Sequence, residues 1–181
     1  MRITGGTLRS RKLLTIKSDG LRPATDRLRE TLFDILVNLF DFQETTALDL
    51  YAGTGSVGFE AISRGTHHVL FVEANPKVAD VLGKNVKALG IEDKCRIHIM
   101  KTEKYLKLCE ENFDFIFIDP PYAFNSMTHK IVDEILTKGI IKKSGIICVE
   151  HSKEYVPPAS NLFRQKIFGS TILSFIKPEI R

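Results

Sequence analysis

The chain has 181 residues, 43% of them apolar and 27% charged, with a formal net charge of +4. That length and balance suit one domain that buries a real core, with room for a small appendage, and they exclude a disordered or fibrous chain. No run approaches the roughly 18 to 20 continuous apolar residues of a membrane span, and no long apolar segment follows the opening Met1-Arg2-Ile3-Thr4-Gly5-Gly6, which argues against secretion.

The first 30 residues hold eight basic and three acidic side chains, whereas the remainder holds 18 basic and 19 acidic, so the positive excess lies at one end. Glycines and short apolar pairs interleave with these charges, which favours a folded surface that meets phosphates over a solvated tail. Arg2 to Thr4 and Lys12 to Lys17 are expected to pair as a short hairpin. Arg9, Arg11, Lys12 and Arg22 are the candidate phosphate contacts, although for each of them a plain surface role has about equal weight. A loop from Ser18 to Pro23 leads to Thr25, a plausible helix cap. The following helix places Leu28, Leu32, Ile35, Leu36 and Leu39 on one face, widened by Phe33 and Val37. Asp26, Arg27, Arg29 and Glu30 are assigned to its polar side, where the two arginines can serve ion pairs with Asp26 or Glu30.

Thr46 to Tyr51 reads as a short buried strand, followed by Ala52-Gly53-Thr54-Gly55-Ser56-Val57-Gly58. Gly53 and Gly55 allow a tight turn and close approach to a ligand, and Gly58 allows the next helix, Phe59 to Arg64, to pack closely. A G-x-G pattern alone is weak evidence. Asp49 sharpens it, because a carboxylate there repels a pyrophosphate and attracts a ligand that carries an ammonium group. His68 to Val72 forms a second strand ending in Glu73, and Asn75-Pro76 caps a helix that stops at Gly90. An acid at the end of the second strand is where nucleoside ligands have their ribose hydroxyls held.

Cys95 to Met100 is the third strand, with a helix from Thr102 to about Cys109 behind it. Phe113 to Ile118 is the fourth, too apolar for a loop and too short for a buried helix. It ends in Asp119-Pro120-Pro121-Tyr122. The prolines remove backbone donors and stiffen the chain, leaving a carboxylate, free carbonyls and a flat ring at the carboxyl edge of a sheet. Such a group suits a planar amine. A helix from about Met127 to Leu136 precedes the fifth strand, Gly145 to Glu150. Leu162 to Phe168 and Thr171 to Lys177, joined at Gly169-Ser170, read as an antiparallel hairpin, and the short link through Pro157-Pro158 leaves little room for a crossover helix. The expected class is α/β with a mixed sheet. Cys95, Cys109 and Cys148 are odd in number and lack ligand spacing, so they read as buried thiols in a reducing cytoplasm; the five histidines form no metal constellation.

The glycine loop, the acid after strand two, the Asp119 to Tyr122 motif and the terminal hairpin together resemble the S-adenosylmethionine-dependent methyltransferase fold over about residues 45 to 177. The tetrapeptide is similar to the one that marks amino-methyltransferases. The opening Met1 to Gly6, Arg22 to Glu30, and Asp49 to Gly58 further resemble the RsmD family of bacterial enzymes that methylate guanine N2 in 16S ribosomal RNA, named for guanine 966. The resemblance implies a Rossmann-like, mostly parallel seven-stranded sheet with a C-terminal antiparallel hairpin. It divides the chain into a basic N-terminal hairpin extension (1–24) and a methyltransferase domain with its leading helix (25–181). Carried over, Asp49, Gly53 and Gly55 surround the methionine part of S-adenosylmethionine, Glu73 binds its ribose, and Asp119, Pro120 and Tyr122 hold the target base. The adenine partner departs from the common pattern: Lys101-Thr102-Glu103 stands where many methyltransferases have an acid or amide, so Thr102 or a backbone group takes that role. The implied partner is small-subunit RNA within an assembled 30S particle, met by a cytoplasmic monomer without a metal.

The chemistry also follows from the residues. An aromatic amine has its lone pair delocalised into the ring. Acceptors at Asp119 and the Pro120 carbonyl favour a more pyramidal nitrogen, an effect that grows along the reaction. Tyr122 would stack on the extruded base for roughly 1 to 3 kcal/mol. Adenine N6, guanine N2 and a glutamine amide all fit such acceptors, so an N6-adenine methyltransferase on RNA or DNA remains the nearest rival. A protein-glutamine methyltransferase and a non-catalytic RNA-binding module with a retained fold stand behind it.

Overall fold

The apolar runs pack as a seven-stranded sheet flanked by helices. The computed structural model describes residues 1–16, 26–39, 41–121 and 125–178. Its strands are β1 (Thr46–Leu50), β2 (His68–Glu73), β3 (Cys95–Ile99), β4 (Phe113–Ile118), β5 (Ile141–His151), β6 (Leu162–Phe168) and β7 (Thr171–Ile176). The helices are α1 (Asp26–Leu36), α2 (Ser56–Ser63), α3 (Pro76–Leu89), α4 (Thr102–Leu108) and α5 (Asn125–Lys138). Strand order is β3-β2-β1-β4-β5-β7-β6, with β1 to β5 parallel and β7 antiparallel to both of its neighbours. Chain progress reverses between β1 and β4, and that reversal opens a crevice at the carboxyl ends of the two strands.

Alternate residues of the central strands feed two cores. Ala47, Phe71, Phe115, Phe117 and Cys148 pack with α1, α2 and α3, while Leu48, Leu70, Ile116, Ile118 and Val149 pack with α4 and α5. Local signals fix the helix ends. The Asn75 side chain accepts from the Lys77 N–H with Pro76 opening α3, and Gly90, at φ 69°, closes it. The fifth strand begins at Ile141, earlier than its apolar run, because Lys142 pairs with Asp114 of β4 at 2.8 Å. Likewise α5 starts two residues before Met127.

The N-terminal segment is part of the body. Arg2 and Lys12 form one antiparallel bridge rather than two full strands, supported by Ile3 N–H to Arg11 O (3.1 Å) and Leu13 N–H to Met1 O (3.0 Å). Ile3 and Leu13 are buried in the α1–α3 core. Lys17, Arg22, the loop from 18 to 23, Thr25 and the proposed boundary at 24/25 lie outside the described residues.

One assignment is overturned. Arg29 is fully buried rather than on the polar side of α1. It stands with Leu32, Phe33 and Leu36 at i, i+3, i+4 and i+7, and its Nε lies 3.4 Å from Oε2 of Glu60, itself fully buried on α2. Its Nη2 reaches Asp26 at 2.8 Å and donates to the Arg2 carbonyl. Glu60 in turn accepts from the Thr4 N–H, the Thr4 hydroxyl and the Gly5 N–H, each at 2.8 Å, and pairs with Arg64 at 3.0 Å. A buried ion cluster therefore rivets the N-terminal segment to two helices. Val37 is largely exposed, and Cys95 and Cys109 are half-buried because they start an edge strand and end α4; only Cys148 is buried, and all three thiols are free. No described helix is long and apolar enough to cross a membrane.

Candidate active site

Asp49, near the carboxyl end of β1, is 3% exposed and accepts the Gly58 N–H at 3.0 Å. Burial pushes its carboxyl up to about 8, Glu73 adds to the rise, and the Gly58 bond opposes it. Gly58 allows this approach, since a Cβ there would sit 2.2 Å from the Phe71 ring. Gly55 turns at φ 90°, and a Cβ on it would meet Leu82 at 2.4 Å. Around Gly53, by contrast, there is open space, and its N–H donates to Glu73 at 2.9 Å. The other Glu73 oxygen accepts the Asn75 N–H at 2.7 Å, so the acid ties the loop to the start of α3 and keeps lone pairs for further donors. Thr102 is buried at the start of α4, with its side chain against Tyr51, a non-glycine residue at φ 60°.

The fourth strand delivers Asp119, half-buried, and Pro120, buried, to the same edge. Burial holds the Asp119 carboxyl well above the usual carboxylate range, and the nearby Glu150 and Asp49 raise it further. Strand register explains the company. Ile118 pairs with Val149, so the next residues, Asp119 and Glu150, stand side by side on the face that carries Phe117 and Cys148. Glu150 is 7% exposed, burial lifts it to about 7, and its Oε2 has no hydrogen-bond partner. Sequence reasoning left Glu150 as the last residue of a strand. The signal that could have found it was the one used for Glu73 and Asp119, an acid at the end of an apolar run.

Four buried or half-buried carboxylates, Asp49, Glu73, Asp119 and Glu150, thus surround the crevice, none of them opposed by a basic side chain in the described contacts. Such a site suits a ligand that brings cationic groups and suits a pyrophosphate poorly. S-adenosylmethionine carries an ammonium and a sulfonium, so the donor set fits it. Among the described residues no cluster of metal-ligating side chains occurs.

A link absent from the sequence reading joins this site to the N-terminus. Asn85 of α3 is buried; its Oδ1 accepts the Leu14 N–H at 2.8 Å, and its Nδ2 donates to the carbonyls of Leu14 and Thr54, each at 3.0 Å. One side chain thereby holds both the glycine loop and the end of the basic segment. Arg9, Arg11 and Lys12 are all exposed on that segment. Arg11 spends one donor on Ala88 O, at 2.6 Å, near the carboxyl end of α3. Tyr122 and Arg22 lie outside the described residues.

Residues 1–177 match the family described as Conserved hypothetical protein 95. The chain is 34% identical over 175 residues to ribosomal RNA small subunit methyltransferase D of Haemophilus influenzae, covering 93% of this chain and 89% of that one. The chain belongs to this family, the RsmD methyltransferases. The Escherichia coli K12 enzyme of the same name is 32% identical over 173 residues, covering 93% of this RsmD-family chain and 85% of its relative. Among solved structures, the Escherichia coli protein yhhF, assigned as a methyltransferase, superposes with a TM-score of 0.87 at 30% identity, covering 100% of this chain and 99% of its own. The Rossmann-like methyltransferase fold expected from the motifs is the fold of this RsmD member.

Proposed function

We propose that this RsmD member transfers a methyl group from S-adenosylmethionine to the exocyclic N2 of a guanine in small-subunit ribosomal RNA. Ribosomal RNA is the substrate class in the names of its relatives. The observation that carries the reaction is the delivery of Asp119 and Pro120 by the fourth strand to the crevice that Asp49 and the glycine loop also line.

The roles follow from position. Asp49 would meet the donor's ammonium group, Gly53 and Gly55 its methionine part, Glu73 its ribose, and Thr102 its adenine edge. The bound donor supplies an electrophilic methyl on a sulfonium. Asp119 and the Pro120 carbonyl accept the two N2 hydrogens and aim the nitrogen lone pair at that methyl. Methyl transfer to that lone pair would leave the former C–S bonding pair on sulfur, and the cationic nitrogen would pass its extra proton to the Asp119 carboxylate. No strong base is needed, because that proton is acidic once the bond has formed. Tyr122 would stack on the base, and Arg9, Lys12, Arg22 and the free donors of Arg11 would meet phosphates. We place the substrate in the assembled 30S particle and the enzyme in the cytoplasm as a monomer.

Methyl transfer from labelled S-adenosylmethionine to small subunits lacking modifications, to naked ribosomal RNA and to DNA, followed by nucleoside analysis, tests the proposal. Label in N2-methylguanosine from the subunits is expected. Label in N6-methyladenosine overturns it in favour of the adenine rival, and transfer to none of them overturns the RNA reading.

A further inference from the structure

Glu150 has no task in the reaction as described, and its surroundings are costly. Its Oε2 is buried without a donor, and the strand register sets Asp119, another carboxyl, against its flank. On the other flank β7 presents Leu173, which pairs with Glu150 and is fully buried. Neighbouring strands run about 4.8 Å apart, so the two carboxyls stand close together at the carboxyl edge of the sheet. A buried carboxylate without donors is expensive: Leu173 supplies none, and Asp119 can supply one only while it keeps its own proton. What fits there is a ligand edge that brings several donors in a row.

The Watson–Crick edge of guanine has that form. It carries the ring N1–H beside the two hydrogens of N2, whereas adenine places a bare acceptor, N1, beside its amine. We propose that Glu150 determines base specificity, accepting the N1–H of the target guanine while Asp119 and Pro120 accept from its N2. This rests on the guanine-N2 reading above and adds what that reading lacked, a residue that tells guanine from adenine. Adenine would turn a lone pair toward the same oxygen, so the ionised Glu150 that receives guanine's N1–H gives adenine no bond and repels it, and adenine is met only where that carboxyl keeps its proton.

The probe is 2-aminopurine, which keeps the 2-amino group but has an unprotonated N1. Small subunits are reconstituted with 16S RNA carrying either guanine or 2-aminopurine at the methylated position, and kcat/KM is measured for wild type and for Glu150→Gln. Wild type is expected to use 2-aminopurine roughly 10- to 100-fold less well than guanine. In Glu150→Gln the amide can donate to the bare N1, so guanine transfer falls by a similar factor and the two substrates come within about threefold of each other. Equal use of both substrates by wild type overturns the proposal without any variant, which covers the case in which Glu150→Gln does not fold. So does an equal loss on both substrates in a folded variant, the mark of a purely structural role. Wild-type label outside N2-methylguanosine on the guanine subunits means that the underlying reaction has been misread, and the proposal falls with it.

Discussion

Replacing Glu60 with alanine should unlock the N-terminal segment from the enzyme. In the native protein Glu60 and Arg29 are both fully buried, and three bonds from Thr4 and Gly5 converge on the same carboxylate. The alanine leaves Arg29 with one ionic partner, Asp26, whose side chain is 60% exposed, and leaves the Thr4 and Gly5 N–H groups without their acceptor. Breaking a buried pair from one side costs about 3 to 5 kcal/mol. For a chain of 181 residues, at roughly 2 to 4 °C per kcal/mol, the thermal midpoint should drop by about 6 to 20 °C. Glu60→Gln should lose less, since its one amide oxygen can still accept from the Gly5 N–H and the Thr4 hydroxyl, which share one Glu60 oxygen, while the Thr4 N–H on the other oxygen loses its acceptor. The double variant Arg29→Met with Glu60→Gln should regain much of the loss, because it buries no unpaired charge. Differential scanning calorimetry reads all three. A midpoint for Glu60→Ala within about 2 °C of wild type would refute the reasoning and mean that water satisfies the groups left behind.

Asp119→Ala should abolish most turnover while keeping most RNA affinity; unchanged turnover in the labelled-donor assay would remove Asp119 from the reaction. Affinity for S-adenosylmethionine, followed by calorimetry, should rise with pH toward about 8 as Asp49 ionises and fall above it as the donor's own ammonium group loses its proton. Stability without ligand should move the other way. The raised carboxyls of Asp49 and Glu150 keep their protons in the folded state, so their contribution is complete below the unfolded pKa values and is lost as pH rises through about 7 to 8. Reversing Arg9 and Lys12 to glutamate should weaken RNA binding and flatten its salt dependence while leaving donor affinity in place. Deleting residues 1 to 22 is the poorer test, since it also strips Ile3 and Leu13 from the core.

The central strands were legible because both of their faces are buried, which turns each into an unbroken apolar run. The cap at Asn75 and the stop at Gly90 were legible because they act within one turn of chain. Pairing between distant charges was not. Arg29 and Glu60 each look solvated in their own helix, and only the arrival of Thr4 and Gly5 makes their burial tolerable. The start of β5 was hidden for the same reason, since Lys142 enters the strand only because Asp114 waits on β4. Of the site, Asp49, Glu73 and Asp119 could be placed from strand ends. The juxtaposition of Asp119 with Glu150 needed the register between β4 and β5, and the Asn85 bridge needed Leu14 and Thr54 to meet on α3.

The most direct test of the account is the nucleoside content of small-subunit RNA in the organism that carries this gene. Mass spectrometry would compare the gene deletion with complementation by wild type and by Asp119→Ala. The account predicts that one N2-methylguanosine disappears on deletion, returns with wild type and stays absent with Asp119→Ala. An unchanged N2-methylguanosine content on deletion, or its return with Asp119→Ala, would contradict it.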